Sequence, residues 1–266
     1  MSEYILEVGK KGFDRLKFIN DIFGSYSEDI LQRSGLSEDL KILEVGCGTG
    51  SMTIWLAKKV GVNGKVIAID ASQQQIQIAK AAAKNEGLNN IEFICSTIEE
   101  LNLPNDSVDL AYSRLLLMHL NNPRYVLEKL KKYLKLGGVI VCDEPHASSL
   151  TTTPCNESIE KLNELFIQLG KFQGFDFDIG DKLFSMLNDL GFSNVQGRFI
   201  QPVIPIYQAV DFVLMGISEV LPMALKAEVI TEAEANKITY ELQNIQCDKS
   251  ALYTFPRQAQ IFGYKY

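Results

Sequence analysis

Residues 41–50 read Lys-Ile-Leu-Glu-Val-Gly-Cys-Gly-Thr-Gly, and no other stretch narrows the possible folds as much. Ile42, Leu43 and Val45 make a short apolar run of the kind buried in a strand. Gly46, Gly48 and Gly50 follow at every second position, and an apolar helical pattern takes over across residues 52–60. Strand, glycine turn and helix, in that order, form a loop suited to a nucleotide cofactor. Glycine lets the main chain turn tightly and a ligand approach backbone atoms closely, and the helix start offers N–H groups that no helical carbonyl can use.

The pattern repeats downstream. A second apolar run at 66–69 ends on Asp70, and Ser72 with Gln75 makes a capping box for a helix carrying Ile76, Ile78, Ala79 and Ala82. Residues 91–95 and 109–113 read as two further strands. Asn122 and Pro123 open a helix with Val126, Leu127, Leu130 and Leu134 on its buried face, and a strand at 139–142 follows a Gly137-Gly138 stop. Strands alternating with helices over 41–142 predict a parallel sheet covered on both faces. Ligands of such sheets bind at the carboxyl ends of the strands. The candidate site residues are therefore Glu44 with Gly46, Asp70, Thr97, Ser113 with Arg114, and Asp143 with Glu144. Asp70 is placed to accept hydrogen bonds from both ribose hydroxyls; a helix cap or loop acid is the plainer alternative.

The spacing of the glycines discriminates further. Dinucleotide-binding loops read G-x-G-x-x-G, whereas here Glu44-x-Gly46-x-Gly48-x-Gly50 is found, which argues against a dehydrogenase. This form resembles motif I of the class I S-adenosylmethionine-dependent methyltransferases. Residues 134–138, Leu-Lys-Leu-Gly-Gly, resemble that family's Leu-Lys-Pro-Gly-Gly turn with leucine in place of proline. Residues 189–195 are similar to its Ala-Gly-Phe entry into strand six. The resemblance implies a Rossmann-like α/β fold: a seven-stranded, mainly parallel sheet with helices on both faces and a helical lid. The final antiparallel strand is 258–264, opposite 195–204 in hairpin fashion.

It also implies roles for residues. Glu44 approaches the methionine amino group, unless it only braces the loop. Gly46, Cys47, Gly48 and Gly50 form the loop, with Cys47 a small residue at a tight turn. Asp70, with Ala71 beside it, takes the ribose, and Gln75 reaches the ribose edge or merely caps its helix. Thr97 and Ile98 stand where the family commonly has an acid for the adenine, so only a main-chain N–H of Ile98 remains for that contact. Ser113 and Arg114 lie on the methionine side, where Arg114 meets an anionic substrate or pairs with Glu44. In the N-terminal segment, Tyr4 and Arg15 occupy places where this family often turns a tyrosine and an arginine toward the methionine end; ordinary packing is the alternative.

One domain spans 1–266, with a helical cap at 1–36 and lid insertions at 151–180 and 205–250. Phe166, Phe172, Phe175, Phe177, Phe212 and Met215 exceed what one buried face of the lid helices needs. They predict an apolar chamber for a small, partly apolar methyl acceptor, or a face buried against a second copy in a homodimer. His119 and His146 follow strand ends and are the candidate general bases; two distant histidines without paired acids make no metal site. The expected activity is methyl transfer from S-adenosyl-L-methionine, the alternative being an inactive cofactor-binding or assembly protein of the same fold. A net charge of −7 argues against a general nucleic-acid binder. Five widely spaced cysteines without a C-x-x-C read as reduced thiols of a cytoplasmic protein. No signal peptide or membrane-length apolar run is expected.

Overall fold

The computed structural model describes residues 10–245 and 249–266; Tyr4 and Cys247 lie outside them. The chain opens with a single helix α1 (Lys10–Arg33), which its 24 residues make about 36 Å long. It runs unbroken through Gly24, and its apolar face puts Phe23, Ile30 and Leu31 in the core. The α/β alternation then follows as expected: β1 (Lys41–Val45), α2 (Ser51–Val60), β2 (Lys65–Asp70), α3 (Gln73–Asn85), β3 (Ile91–Cys95), β4 (Val108–Arg114), α4 (Pro123–Tyr133) and β5 (Leu134–His146).

The second half is more irregular. It comprises β6 (Thr151–Thr153), α5 (Glu157–Phe172), α6 (Leu183–Asp189), β7 (Phe192–Ile200), β8 (Val203–Pro205), α7 (Val210–Lys226), α8 (Glu232–Gln243), β9 (Leu252–Thr254) and β10 (Arg257–Lys265). The main sheet has seven strands in the order β3-β2-β1-β4-β5-β10-β7. Only β10 runs against its neighbours, pairing antiparallel with both β5 and β7. The expected Rossmann-like fold is borne out, although β7 ends at Ile200 rather than 204 and a long excursion, not a hairpin turn, separates it from β10.

Alternate residues of the central strands face opposite sides, as the strand pleat requires. Ile42, Val66 and Leu110 pack under Leu56, Val60 and Ile76 on one face. Leu43, Ile67, Ala111 and Ile140 pack with Val126, Leu127 and Leu130 on the other, in a core continuous with α5, α7 and α8. Register then fixes the site. Val45 pairs with Ile69 and Ser113, Asp70 with Cys95, and Arg114 with Asp143. Gly46, Asp70 and Arg114 thus emerge level with one another at the carboxyl edge.

Two further features depart from the sequence expectation. The strand expected at 139–142 begins at Leu134, with an irregularity where Val108 pairs with Leu134 but Leu110 with Val139. A second, three-stranded sheet in the order β6-β9-β8 forms apart from the main sheet. Each of its strands is three residues long, too short for any alternation to be visible in sequence.

Candidate active site

The glycine turn is held by the strand beside it. The amides of Gly46 and Cys47 both donate to the Ile69 carbonyl at 2.9 Å. The Gly48 amide donates to Asp70 Oδ2 at 2.9 Å, and Ser72 N donates to Oδ1 at 2.8 Å. Asp70 therefore braces the loop whether or not a ligand is present. Gly48 has φ +53° and Gly50 +85°, conformations that L side chains rarely adopt. A Cβ on Gly50 would lie 2.9 Å from the Ala79 Cβ, so this glycine also lets the turn pack against α3.

Above the turn lies a cavity of about 550 Å³. It brings together Glu44, Gly46, Cys47, Gly48, Asp70, Ala71, Gln75, Thr97, Ile98 and Arg114 from the sequence-expected set, and His119 joins them. Gly50 and Ser113 do not line it: Gly50 packs on α3, and Ser113 is buried in β4 beside the Cys142 thiol. Sequence reasoning missed Leu16 and Ile19 of α1, Ser96 and Glu99 after β3, and Leu115, Leu116 and Leu120 after β4. The leucines gave no signal, because an apolar residue in an amphipathic helix or beyond a strand looks like any core residue.

Burial sets the electrostatics. It pushes Glu44 up to about 7 against the opposing pull of the Thr53 hydroxyl and the Arg114 charge. Glu44 Oε2 and Gln75 Oε1 are buried with no hydrogen-bond partner. Burial also raises Asp70, opposed by the Ser72 and Gly48 amides, and pushes the Cys47 thiol far up, which keeps it protonated and unreactive. Arg114 donates to Ser27 Oγ at 3.3 Å and to Asn20 Oδ1 at 3.0 Å. Ser27 in turn donates to the buried Asp143 Oδ2 at 2.6 Å, which also accepts from Gln260 Nε2 at 3.0 Å. This chain of polar groups fastens α1 to the sheet beside the cavity.

The two histidines have different surroundings. His119 stands edge-on to Phe175 and Phe177 at centroid distances of 5.6 and 5.4 Å. Burial, with the nearby Arg15 charge, lowers it to about 3, so it is neutral at physiological pH. His146 Nδ1 lies 2.6 Å from Asp181 Oδ2, close enough for an ion pair though off the line of a hydrogen bond. Arg257 reaches the other oxygen of Asp181 at 3.2 Å. His146 lines neither the cavity over the glycine turn nor the one described next.

That second cavity, about 180 Å³, lies between α1, α5, α7 and the segment after β4. Its walls are mostly apolar, and Phe23, Phe166, Phe177, Phe212, Tyr253 and Phe255 stand among them. Phe166 stacks on Phe177 at 4.2 Å, and Phe212 stacks on Phe18 at 5.3 Å and leans on Phe255 at 5.9 Å. Met215 also lines it, whereas Phe172 points to solvent, 64% exposed. Ile19 and Leu115 line both cavities. Leu115 has φ +53°, a strained conformation for a branched side chain, worth about 1–3 kcal/mol. It is held there from beneath. Its amide donates to the Asp143 carbonyl at 3.0 Å. The buried Glu144 carboxyl accepts from the amides of Leu116, Leu117 and Met118 at 3.0, 2.9 and 3.4 Å. Sequence reading saw Glu144 only as a strand end; in the fold it shapes the partition between the cavities.

Comparison with known proteins agrees with this architecture. A family model described as a methyltransferase domain matches residues 36–184. The demethylmenaquinone methyltransferase of Staphylococcus saprophyticus is 30% identical over 191 residues, covering 65% of this chain and 79% of that protein. The crystal structure of YcgJ from Bacillus subtilis aligns with a TM-score of 0.61 at 16% identity, over 89% of this chain and 96% of that one. The [4+2]-cyclase SpnF aligns with a TM-score of 0.54 at 17% identity, over 90% and 80%. At such identities the structural likeness speaks for the fold alone. The chain belongs to the methyltransferase-domain family and is a class I S-adenosylmethionine-dependent methyltransferase, as its glycine motif implied. Among the described residues no helix is long and apolar enough to cross a membrane, and no group of His, Cys, Asp and Glu could hold a metal ion.

Proposed function

We propose that the cavity over the glycine turn holds S-adenosylmethionine and that the aromatic cavity holds the methyl acceptor, a small apolar molecule of the menaquinone kind. The observation that carries this reading is the pair of adjoining cavities, one polar-edged and one aromatic, sharing Ile19 and Leu115 as their common wall. The residues fit such a cofactor. Glu44 presents a buried carboxylate oxygen without a partner, suited to an ammonium group. Asp70 keeps lone pairs for the ribose after bracing the loop, Gly48 leaves room for close approach, and Thr97 and Ile98 border the adenine end. When bound, the cofactor supplies an electrophilic methyl group on its sulfonium.

The chain's own work is then to position the acceptor and exclude water. Proximity and orientation of this kind contribute about 7–11 kcal/mol in favourable cases. Ile19 and Leu115 stand between the two cavities, and Glu144 with the Asp143 carbonyl fixes Leu115 in its strained place. The neutral, enclosed His119 serves as wall and support, and a role as general base falls to groups inside the aromatic cavity. A net charge of −7 and unpaired cysteines at 47, 95, 142 and 155 support a cytoplasmic enzyme with no nucleic-acid partner. The test is calorimetric titration with S-adenosylmethionine followed by assay of S-adenosylhomocysteine with menaquinone-type acceptors. Binding accompanied by product formation is expected. Binding with no product across the acceptor panel would instead support a cofactor-binding protein without methyl transfer.

A further inference from the structure

Gln258 and Gln260 stand next but one to each other on β10, so the strand pleat turns both to the same face. Their cross-strand neighbours separate them. Gln260 lies opposite Asp143 of β5 and Arg198 of β7. Its Nε2 donates to Asp143 Oδ2 at 3.0 Å, and its Oε1 accepts from Arg198 Nε at 2.9 Å. Gln258 lies opposite Pro145 and Ile200, whose side chains carry no hydrogen-bonding group. Its Oε1 is buried with no hydrogen-bond partner, and the residue is 4% exposed. An amide oxygen left in that state is costly to a folded chain and calls for an account.

The account is in its surroundings. Gln258 and its neighbour Pro145 both line the aromatic cavity, and Tyr253, Phe255 and Pro256 continue the same wall. Other polar side chains of that cavity are engaged within the protein. Arg15 of α1 and Glu219 of α7 form an ion pair, and Asn163 Nδ2 donates to the Ala147 carbonyl at 2.9 Å. Tyr253 is buried, and burial raises its phenol with nothing opposing, so it stays a neutral hydroxyl. The Gln258 amide is thus a hydrogen-bonding group with no protein partner for its oxygen, on the wall of a ligand-sized cavity.

We infer that Gln258 is a specificity-determining residue for the acceptor, and that its amide selects a flat aromatic ring carrying a hydroxyl group. This rests on the assignment of the aromatic cavity to the acceptor. The stacked faces of Phe166 and Phe177 and the ring of Phe212 favour a planar guest. A hydroxyl answers either end of the amide, since it donates to the oxygen or accepts from the nitrogen. Fluorine, of nearly the same size, brings no hydrogen and leaves the amide oxygen as it was. A site built to hydrogen-bond a hydroxyl rejects the analogue that lacks one, because its own buried polar group then stays without a partner.

The experiment uses the full chain, saturated with S-adenosylhomocysteine, and compares 1-naphthol with 1-fluoronaphthalene by equilibrium dialysis. The naphthol is expected to bind about five- to tenfold tighter, the effect of one buried hydrogen bond. Gln258→Leu is expected to erase that preference by weakening the naphthol, with S-adenosylhomocysteine affinity unchanged. Should this variant fold poorly, Gln258→Met replaces the amide with a flexible apolar chain of similar length and is expected to give the same result. Phe212→Ala is expected to weaken both rings alike. Equal binding of the two rings by the parent chain, or tighter binding of the fluorinated one, overturns the inference, as does a preference that survives in the Gln258 variant. The assignment of the cavities fails differently, and takes the inference with it. A parent that holds S-adenosylhomocysteine but neither ring, or rings indifferent to Phe212→Ala, would remove the acceptor from the aromatic cavity, and a parent that binds no S-adenosylhomocysteine would overturn the cofactor site.

Discussion

The two cavities share a wall but are built by opposite means. The cavity over the glycine turn is built mainly on backbone and strand ends of the α/β half: β1, its glycine turn, and the tips of β2, β3 and β4, set level by sheet register. The acceptor side is made of side chains gathered from α1, α5, α7 and β9, segments far apart in the chain. Backbone binding tolerates little change at a few positions. A side-chain cavity spreads its demands over many residues and yields gradually to each substitution. The difference explains why one half reads like a motif and the other like an ordinary core.

The largest effect is expected where backbone geometry is least negotiable. Gly48→Val puts a β-branched residue at φ +53°, with its Cβ 3.3 Å from Leu16 Cδ1. Binding of S-adenosylmethionine should fall below calorimetric detection while thermal unfolding stays cooperative; normal affinity would break the contrast. Next, Asp70→Ala should weaken the cofactor by about 1.5–3 kcal/mol, the range for hydrogen bonds to a charged group, with some loss of stability because the Gly48 and Ser72 amides lose their acceptor. An unchanged dissociation constant would remove Asp70 from the ribose.

A pH titration comes third. Burial holds Glu44 near 7, so a cofactor ammonium must displace its proton below that pH. Affinity is expected to fall by up to about tenfold per pH unit on going from 7 toward 5.5, and Glu44→Gln should flatten the slope. The free protein carries the opposite sign. Because the folded pKa lies above the unfolded value of 4.5, the folded chain keeps a proton that the unfolded chain has released. The Glu44 contribution to stability is thus full below 4.5 and is lost as pH rises through about 7. Equilibrium unfolding of Glu44→Gln against the parent across that window measures it. Smallest of all on cofactor affinity are the aromatic-cavity variants. Phe212→Ala and Met215→Ala should change the S-adenosylmethionine dissociation constant less than about twofold yet cut acceptor turnover severalfold, since mispositioning alone is that costly. A matching loss of cofactor affinity would show that the two cavities are not separable in this way.

Sequence legibility follows the same line. Residues 42–50 and Asp70 declared themselves because local conformation and function coincide there: a positive φ needs glycine, and a strand tip needs an acid. The caps at Ser72 and Asn122 were equally local, and both are present. What stayed hidden depends on long-range juxtaposition. Nothing in Arg15 announces Glu219, nor in Thr151–Thr153 the strand at Leu252–Thr254 that pairs with it. Phe172 looked like part of the chamber because it lies at the end of an apolar helix, yet only its neighbour helices decide that it faces outward. At Gly24, a poor helix former, packing of Phe23 and Ser27 on the sheet side carries α1 through.

One helix touches everything that matters. Leu16 and Ile19 of α1 border the cofactor cavity, Arg15 and Phe23 border the acceptor cavity, and Asn20 and Ser27 bind Arg114. Any ligand that steadies this helix has already met part of the ordering cost the other ligand would face, so the two occupancies are linked. Linkage is reciprocal by necessity: whatever factor the acceptor adds to cofactor affinity, the cofactor adds to acceptor affinity. Titrating a menaquinone-type acceptor with and without S-adenosylhomocysteine, and then the reverse, reads that factor twice. It also reads how far the order of arrival is left free, since a wall common to two guests can favour company without dictating which guest comes first.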